Sequence, residues 1–287
     1  MKDQVTSLAT VFRPQMPPES LRGFVRAVED AGFDELWVWE DCFLESGIAT
    51  AATALALSDR LKVGVGLLPV PLRNVALATM EAATLYRLFP GRVLLGLGHG
   101  VQDWMGQVGA RAESPLTLLR EYAVAMRSLL AGGRVTTEGR YVKLRDVELG
   151  WPPQTVPPLY VGATGPRSVR LSGEVADATI LTSATTPDVL RTARQLIDEG
   201  RAAAGRSGHH HVVVSLLTAT GAGAAERLAA DNEGAQAGVA GNAEQVAAAV
   251  RRLAEAGADT VVLQPTADEP DPAGFVRFAA EQVRPLI

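Results

Sequence analysis

The segment Leu159-Tyr160-Val161-Gly162-Ala163-Thr164-Gly165-Pro166-Arg167-Ser168 joins a short apolar run to a glycine-punctuated turn, with a proline where a helical pattern opens. Gly162 and Gly165 let the backbone come close to a ligand. Pro166 suits a first helical turn, whose N–H groups lack intrahelical partners, and the helix dipole adds positive charge there. Strand, small-residue turn with Ala163 and Thr164, and helix start together make a cradle for a phosphate. Thr182 and Ser183, at the end of the next apolar run (Asp177 to Leu181), add two hydroxyls suited to the same anion. An ordinary strand-to-helix turn is the plainer reading of the same residues.

Other polar residues follow apolar runs elsewhere. Glu40, Asp41 and Cys42 follow Trp37-Val38-Trp39. His99 lies in Gly96-Leu97-Gly98-His99-Gly100, with Val101 and Trp104 just beyond. The glycine run lacks the spacing of a dinucleotide fingerprint, and no helical pattern opens straight after it. It reads better as a strand end, at Gly98, where the backbone approaches a flat ring. Trp37 and Trp39 share one strand face by parity, with Val38 on the other.

Several chemistries are excluded by what is missing. The three lysines, Lys2, Lys62 and Lys143, do not follow strand runs, so Schiff-base chemistry lacks its amine. Only His99 of the four histidines stands at a strand end, too few for a catalytic metal centre, and no metal site is expected. His209-His210-His211 cannot all grip one ion from a strand, because neighbours face opposite ways. Paired carboxylates for glycoside hydrolysis are absent, since Glu40 and Asp41 are consecutive. What remains is a mostly apolar pocket with an anion cradle, which suits a phosphate-bearing redox cofactor.

The 287 residues are 47% hydrophobic and 21% charged, with a net charge of −5 and a mean hydropathy of +0.10. That is a globular composition without a basic surface for nucleic acid. The single Cys42 rules out an intrachain disulfide and fits a reducing cytosol. Neither a signal peptide at Met1-Lys2-Asp3-Gln4 nor a membrane-length apolar run is expected.

Eight short apolar strands are predicted: Val5 to Phe12, Phe33 to Trp39, Leu61 to Leu67, Arg92 to Leu97, Leu159 to Val161, Asp177 to Leu181, His211 to Leu217 and Asp259 to Gln264. Each is followed by a helical pattern, as in Glu19 to Ala31 with Leu21, Phe24, Val25 and Val28 on one face. Val135 to Leu149 alternates like a hairpin, and Ala222 to Gly241 reads as a loose helix with a mobile loop. Parallel strands covered by helices in a chain of this size predict a (β/α)8 barrel, a TIM barrel, as one domain over 1–287. The hairpin is an excursion between the fourth helix and the fifth strand. A doubly wound open sheet is the alternative.

The chain resembles the luciferase-like flavin or deazaflavin oxidoreductases over essentially its whole length. The resemblance is carried by Leu36-Trp37-Val38-Trp39-Glu40-Asp41, by Phe89-Pro90-Gly91-Arg92-Val93-Leu94-Leu95-Gly96-Leu97-Gly98, and by Val161 to Ser168. It implies a barrel binding coenzyme F420 or FMN, a small-molecule substrate and a homodimer. It places the phosphate on Gly165, Pro166, Arg167 and Ser168, and a non-prolyl cis peptide beneath the ring at Gly66-Leu67. Where F420-dependent members carry Asp-His after the second strand, this chain has Glu40-Asp41; where some carry a glutamate after the fourth, it has Val101. Asp41 and His99 are therefore the local candidates for proton transfer, and Trp104, with Trp39, for walling the ring or substrate. Arg73, Arg92 and Arg167 could meet an anionic cofactor tail. F420-dependent hydride transfer is the expected activity. The alternatives are an FMN-dependent monooxygenase, a non-catalytic cofactor-binding protein, and a phosphosugar lyase or isomerase.

Overall fold

The alternation of apolar runs and amphipathic stretches becomes a closed ring of strands. A computed structural model describes residues 6–231 and 237–287. In chain order the strands are β1 (Ser7–Val11), β2 (Glu35–Val38), β3 (Lys62–Pro69), β4 (Val93–Gly98), β5 (Val135–Glu138), β6 (Lys143–Val147), β7 (Leu159–Gly162), β8 (Ala178–Leu181), β9 (His211–Ala219), β10 (Val239–Ala240) and β11 (Thr260–Pro265). Helices are α1 (Leu21–Asp30), α2 (Gly47–Leu57), α3 (Val75–Leu88), α4 (Gln102–Gln107), α5 (Pro115–Leu130), α6 (Pro166–Val175), α7 (Pro187–Ala203), α8 (Ala224–Asp231), α9 (Ala243–Ala256) and α10 (Pro272–Phe278).

Strands β1, β2, β3, β4, β7, β8, β9 and β11 pair in parallel in that order, and β11 pairs back onto β1 with Ser7 opposite Thr260. The ring is closed, a TIM barrel, and the open-sheet alternative falls. β5 and β6 form the antiparallel excursion between α5 and β7, as the alternation at Val135 to Leu149 predicts. Two elements differ from expectation. The short helix α4 opens two residues after Gly100, and its six residues are too few for a periodic signal. The Ala222 to Gly241 stretch, expected as a loose helix with a mobile loop, gives α8 and β10, while its residues 232–236, like Met1 to Val5, lie outside the described residues. Among the described residues no helix is long and apolar enough to cross a membrane.

Strand parity sets two cores. Outward residues such as Leu36, Val63, Leu95 and Val161 pack against the helices, whose apolar stripes (Phe24, Val25 and Val28 on α1) close over them. Inward residues form a smaller core of Val11, Trp37, Leu94, Tyr160, Ile180 and Val262 among others. Trp37 and Tyr160 meet at 6.0 Å between ring centroids, near edge-on. Gly64 makes room for this ring: a Cβ there would stand 2.5 Å from the Trp37 indole. Trp37 and Trp39 both point into the barrel, and above the packed rings free space opens at the carboxyl end of the strands.

Candidate active site

That free space is a cleft of about 390 Å³, within the range of small-molecule sites. Its floor is glycine. Gly66 from β3, Gly98 from β4 and Gly162 from β7 share inward strand positions. The Leu67 side chain occupies the place that a Cβ on Gly98 or Gly162 would need. The Gly66–Leu67 peptide is cis, where the family resemblance puts one, and a second non-prolyl cis bond joins Cys42 and Phe43. Gly66 and Gly162 line the cleft together with Leu67, whereas Gly98, expected to contact the ligand, is buried beneath Leu67 and does not line it.

Polar groups ring this floor. Asp41 accepts a hydrogen bond from Trp39 Nε1 at 3.0 Å. Burial pushes its carboxyl above the ordinary value, against the Trp39 donor and the Arg13 charge. His99 borders the cleft on the β4 side, and its Nδ1 is buried with no hydrogen-bond partner among the described residues. Burial holds this histidine below its usual pKa, against a backbone acceptor at Pro115. Trp104, the third residue of α4, and Trp39 wall the opening, with Val101, the N-cap of that helix, between His99 and Trp104 in sequence. Ala163, Thr164, Thr182 and Ser183 line the side formed by β7 and β8.

The helix start is built as its sequence predicts, with Gly165 as N-cap and Pro166 in the first turn. The Ser168 hydroxyl donates to the Gly165 carbonyl at 2.8 Å, and Val169 N–H donates to the same oxygen at 2.9 Å. The N–H groups of Arg167 and Ser168 remain at the positive end of α6. These four residues adjoin the cleft through Thr164 but do not wall it; Pro166 and Arg167 border an outer groove between α5, α6 and α7. Arg73 and Arg92 are committed elsewhere. Arg73 grips Glu40 through both guanidinium nitrogens, at 2.5 and 2.7 Å, and Arg92 binds backbone carbonyls of Leu55, Ser58 and Leu61.

Three polar residues that sequence reasoning left out of the site also line the cleft: Arg13, Ser215 and Gln264. Arg13 is buried, and its guanidinium meets Asp231 of α8 and the Pro265 carbonyl at 2.9 Å. Parity was the missed signal. Arg13 lies two residues beyond Val11, Ser215 two beyond Val213, and Gln264 two beyond Val262, all inward positions.

The histidine run divides. His210 turns outward, its Nε2 2.8 Å from Thr179 Oγ1. His209 and His211 share the other side, with ring centroids 6.4 Å apart, at the barrel end opposite the cleft.

The cleft at the carboxyl end of this parallel barrel thus combines a floor of backbone and one leucine with a rim of hydroxyls and the titratable Asp41 and His99. The model of the luciferase-like monooxygenase family matches residues 3–230, and the chain belongs to this family. It is 32% identical over 196 residues to 5,10-methylenetetrahydromethanopterin reductase of Methanolobus tindarius, covering 68% of this chain and 59% of that protein. It is 30% identical over 207 residues to F420-dependent glucose-6-phosphate dehydrogenase of Microbacterium testaceum, covering 67% and 61%. The matches thus span about three-fifths of these curated relatives. In structure it superposes on an F420-dependent secondary alcohol dehydrogenase with a TM-score of 0.88 at 20% identity, covering 98% of this chain and 99% of the other, and on the coenzyme F420-dependent tetrahydromethanopterin reductase of Methanopyrus kandleri with a TM-score of 0.83 at 21% identity, covering 98% and 99%.

Proposed function

We propose that the chain, read as one domain over residues 1–287, is an oxidoreductase that binds coenzyme F420 in this cleft and moves a hydride between the cofactor and a small organic substrate. The observation that carries this reading is the floor where Leu67 fills the space left by Gly98 and Gly162. It offers a flat ring the Leu67 side chain and close backbone approach at Gly66 and Gly162. The buried, unpartnered Nδ1 of His99 fits a ligand that supplies its missing hydrogen bond. When bound, the deazaflavin supplies the carbon that gives or takes the hydride.

The chain's own residues do the rest. Thr164, Thr182 and Ser183, with the N–H groups of Arg167 and Ser168 and the open backbone at Gly165, hold the phosphate. Gly66, Gly162 and Ala163 face the ring. Trp39 and Trp104 exclude water from the reacting side, which strengthens the polar contacts there. Asp41, protonated more readily than an exposed aspartate, and His99, whose burial favours the neutral imidazole, are the groups able to hold or move a proton.

The F420-dependent relatives support F420 over FMN. A second reading, an FMN-dependent monooxygenase, draws on the family's description and on monooxygenases among structures of the same fold. We also read the protein as a cytosolic homodimer. Leu77, Met80 and Leu88 make an exposed apolar stripe on α3 that suits a second copy, and its lone cysteine fits a reducing compartment.

The test is a parallel titration with F420 and FMN, oxidised and reduced, followed by tryptophan quenching, on wild type and Gly165→Val. Tight F420 binding, weakened about tenfold or more by Gly165→Val, is the expected result. FMN binding alone, with oxygen consumption, favours the monooxygenase. Tight binding without turnover over a substrate panel favours a cofactor-binding protein. Binding of neither at micromolar levels overturns the phosphate cradle.

A further inference from the structure

At the barrel end opposite the cleft, the histidines that sequence parity separates from His210 meet a carboxylate. We propose that His209, His211 and Asp259 form a binding site for a divalent transition-metal ion of the zinc class, tying the start of β9 to the start of β11.

The placement follows from register. β9 pairs with β11 so that Val213 faces Thr260, which brings His211 beside the residues that open β11. Inward positions on β9 run Val213, His211 and, two residues before the strand's start, His209. Asp259 immediately precedes β11, and a potential ligand atom from each of the three side chains lies within 4.8 Å of the others. Ligands of a tetrahedral ion with bonds of 2.0–2.1 Å stand about 3.3 Å apart. Small side-chain rotations therefore close the set without moving the strands. His209 Nε2 and Asp259 Oδ1 are already 2.8 Å apart.

The supporting contacts are those of a metal centre. The other Asp259 oxygen, Oδ2, accepts from the Val212 N–H at 2.7 Å and from Arg194 at 2.6 Å, which fixes the carboxylate's orientation. Thr260 Oγ1, 3.0 Å from His211 Nε2, steadies that ring. Such outer partners are what hold ligating histidines and carboxylates in place. Arg194 and Lys62 oppose a cation here, but Asp259 and the half-buried Glu35 balance their formal charge.

Donor chemistry selects the ion. Two imidazoles and one carboxylate suit zinc, cobalt, nickel or copper, whereas magnesium and calcium prefer oxygen alone. Three protein ligands leave a fourth position for water. Placed at the barrel seam, the ion acts as a clamp that binds the folded chain and raises its stability.

The experiment uses the full-length protein after removal of metals by chelator. It is titrated with Zn²⁺ by calorimetry and with Co²⁺ by visible absorption, alongside His209→Ala and His211→Asn. His209 is half-exposed, so its replacement leaves the fold intact, as circular dichroism of the metal-free variant checks. The expected result is one ion per chain at micromolar affinity or tighter, tetrahedral cobalt bands, and a Tm raised by several degrees. Each variant should bind about tenfold or more weakly and lose the Tm rise. Affinity unchanged in both variants, or no saturable binding to wild type, overturns the proposal.

Discussion

The Leu67 side chain occupies the volume that a Cβ on Gly162 would need, so the cleft floor depends on a leucine from β3 seated over a glycine from β7. Gly98 on β4 yields to the same leucine. Gly162→Ala should therefore push Leu67 up into the cleft. We expect F420 affinity to fall about tenfold or more, with overpacking costing about 1–3 kcal/mol of stability. Adding Leu67→Ala to Gly162→Ala should restore stability by relieving the clash. Quenching titrations and urea unfolding of the single and double variants read both effects. A Gly162→Ala protein of unchanged affinity would mean that the ligand does not rest on this floor.

Asp41 carries a second prediction with a definite sign. Its folded-state pKa is raised above the ordinary aspartate value of 3.8, chiefly by burial. The stability it contributes is fully present below pH 3.8 and is lost as pH rises through its folded pKa. Asp41→Asn removes that loss while keeping an acceptor for Trp39 Nε1. The variant should be as stable as wild type at pH 7, or more so, yet turn over about tenfold or more slowly if Asp41 moves the proton. Urea midpoints at pH 4 and 7, with kcat at pH 7, separate these effects. If Asp41→Asn and His99→Ala both keep full activity, solvent or the cofactor handles the proton.

Glu40 and Arg73 form a buried pair, with side chains 8% and 15% exposed. Glu40 also accepts the Gly47 N–H at 2.8 Å, which anchors the first turn of α2. Arg73→Ala leaves that carboxylate buried and uncompensated, at a cost of about 3–5 kcal/mol. Arg73→Lys should also lose stability, because an ammonium cannot replace the two-pronged grip. Cofactor affinity should change little per folded molecule. A large affinity loss at full stability would instead return Arg73 to a ligand-binding role.

The fold was legible because each strand is a short, nearly continuous apolar run and each helix carries a plain stripe, as in Leu21, Phe24, Val25 and Val28. Parity then separates Trp37 from Val38, but only closure of the ring says which side is inside. The cleft was legible where backbone chemistry leaves a mark in composition, at Gly66 and Gly162, while Gly98, also marked by composition, lies beneath Leu67. It was less so where one polar side chain stands on an inward position among apolar neighbours, as with Ser215 and Gln264. Arg13 and Arg73 show the limit: both are arginines beside strand ends, and only the fold pairs one with Asp231 and the other with Glu40. His209 and His211 were set aside because three consecutive ligands cannot converge, although alternate ones can.

His210 gives the sharpest pH dependence. It is 2% exposed, bonded to Thr179, which in turn meets Ser172 Oγ at 2.7 Å. Burial, reinforced by the charges of Arg201 and Arg194, brings its pKa down to about 3 from 6.5. A lowered histidine contributes stability above pH 6.5 that is lost as pH falls from 6.5 towards 3, because the unfolded chain takes up the proton first. At about 1.4 kcal/mol per pH unit, the loss between pH 6.5 and 5 should reach about 2 kcal/mol. His210→Gln keeps a polar partner for Thr179 but cannot titrate. Its urea midpoint should lie below wild type at pH 7.5 and fall less steeply as the pH drops to 5. Parallel profiles for the two proteins would show that His210 is not the group that resists protonation.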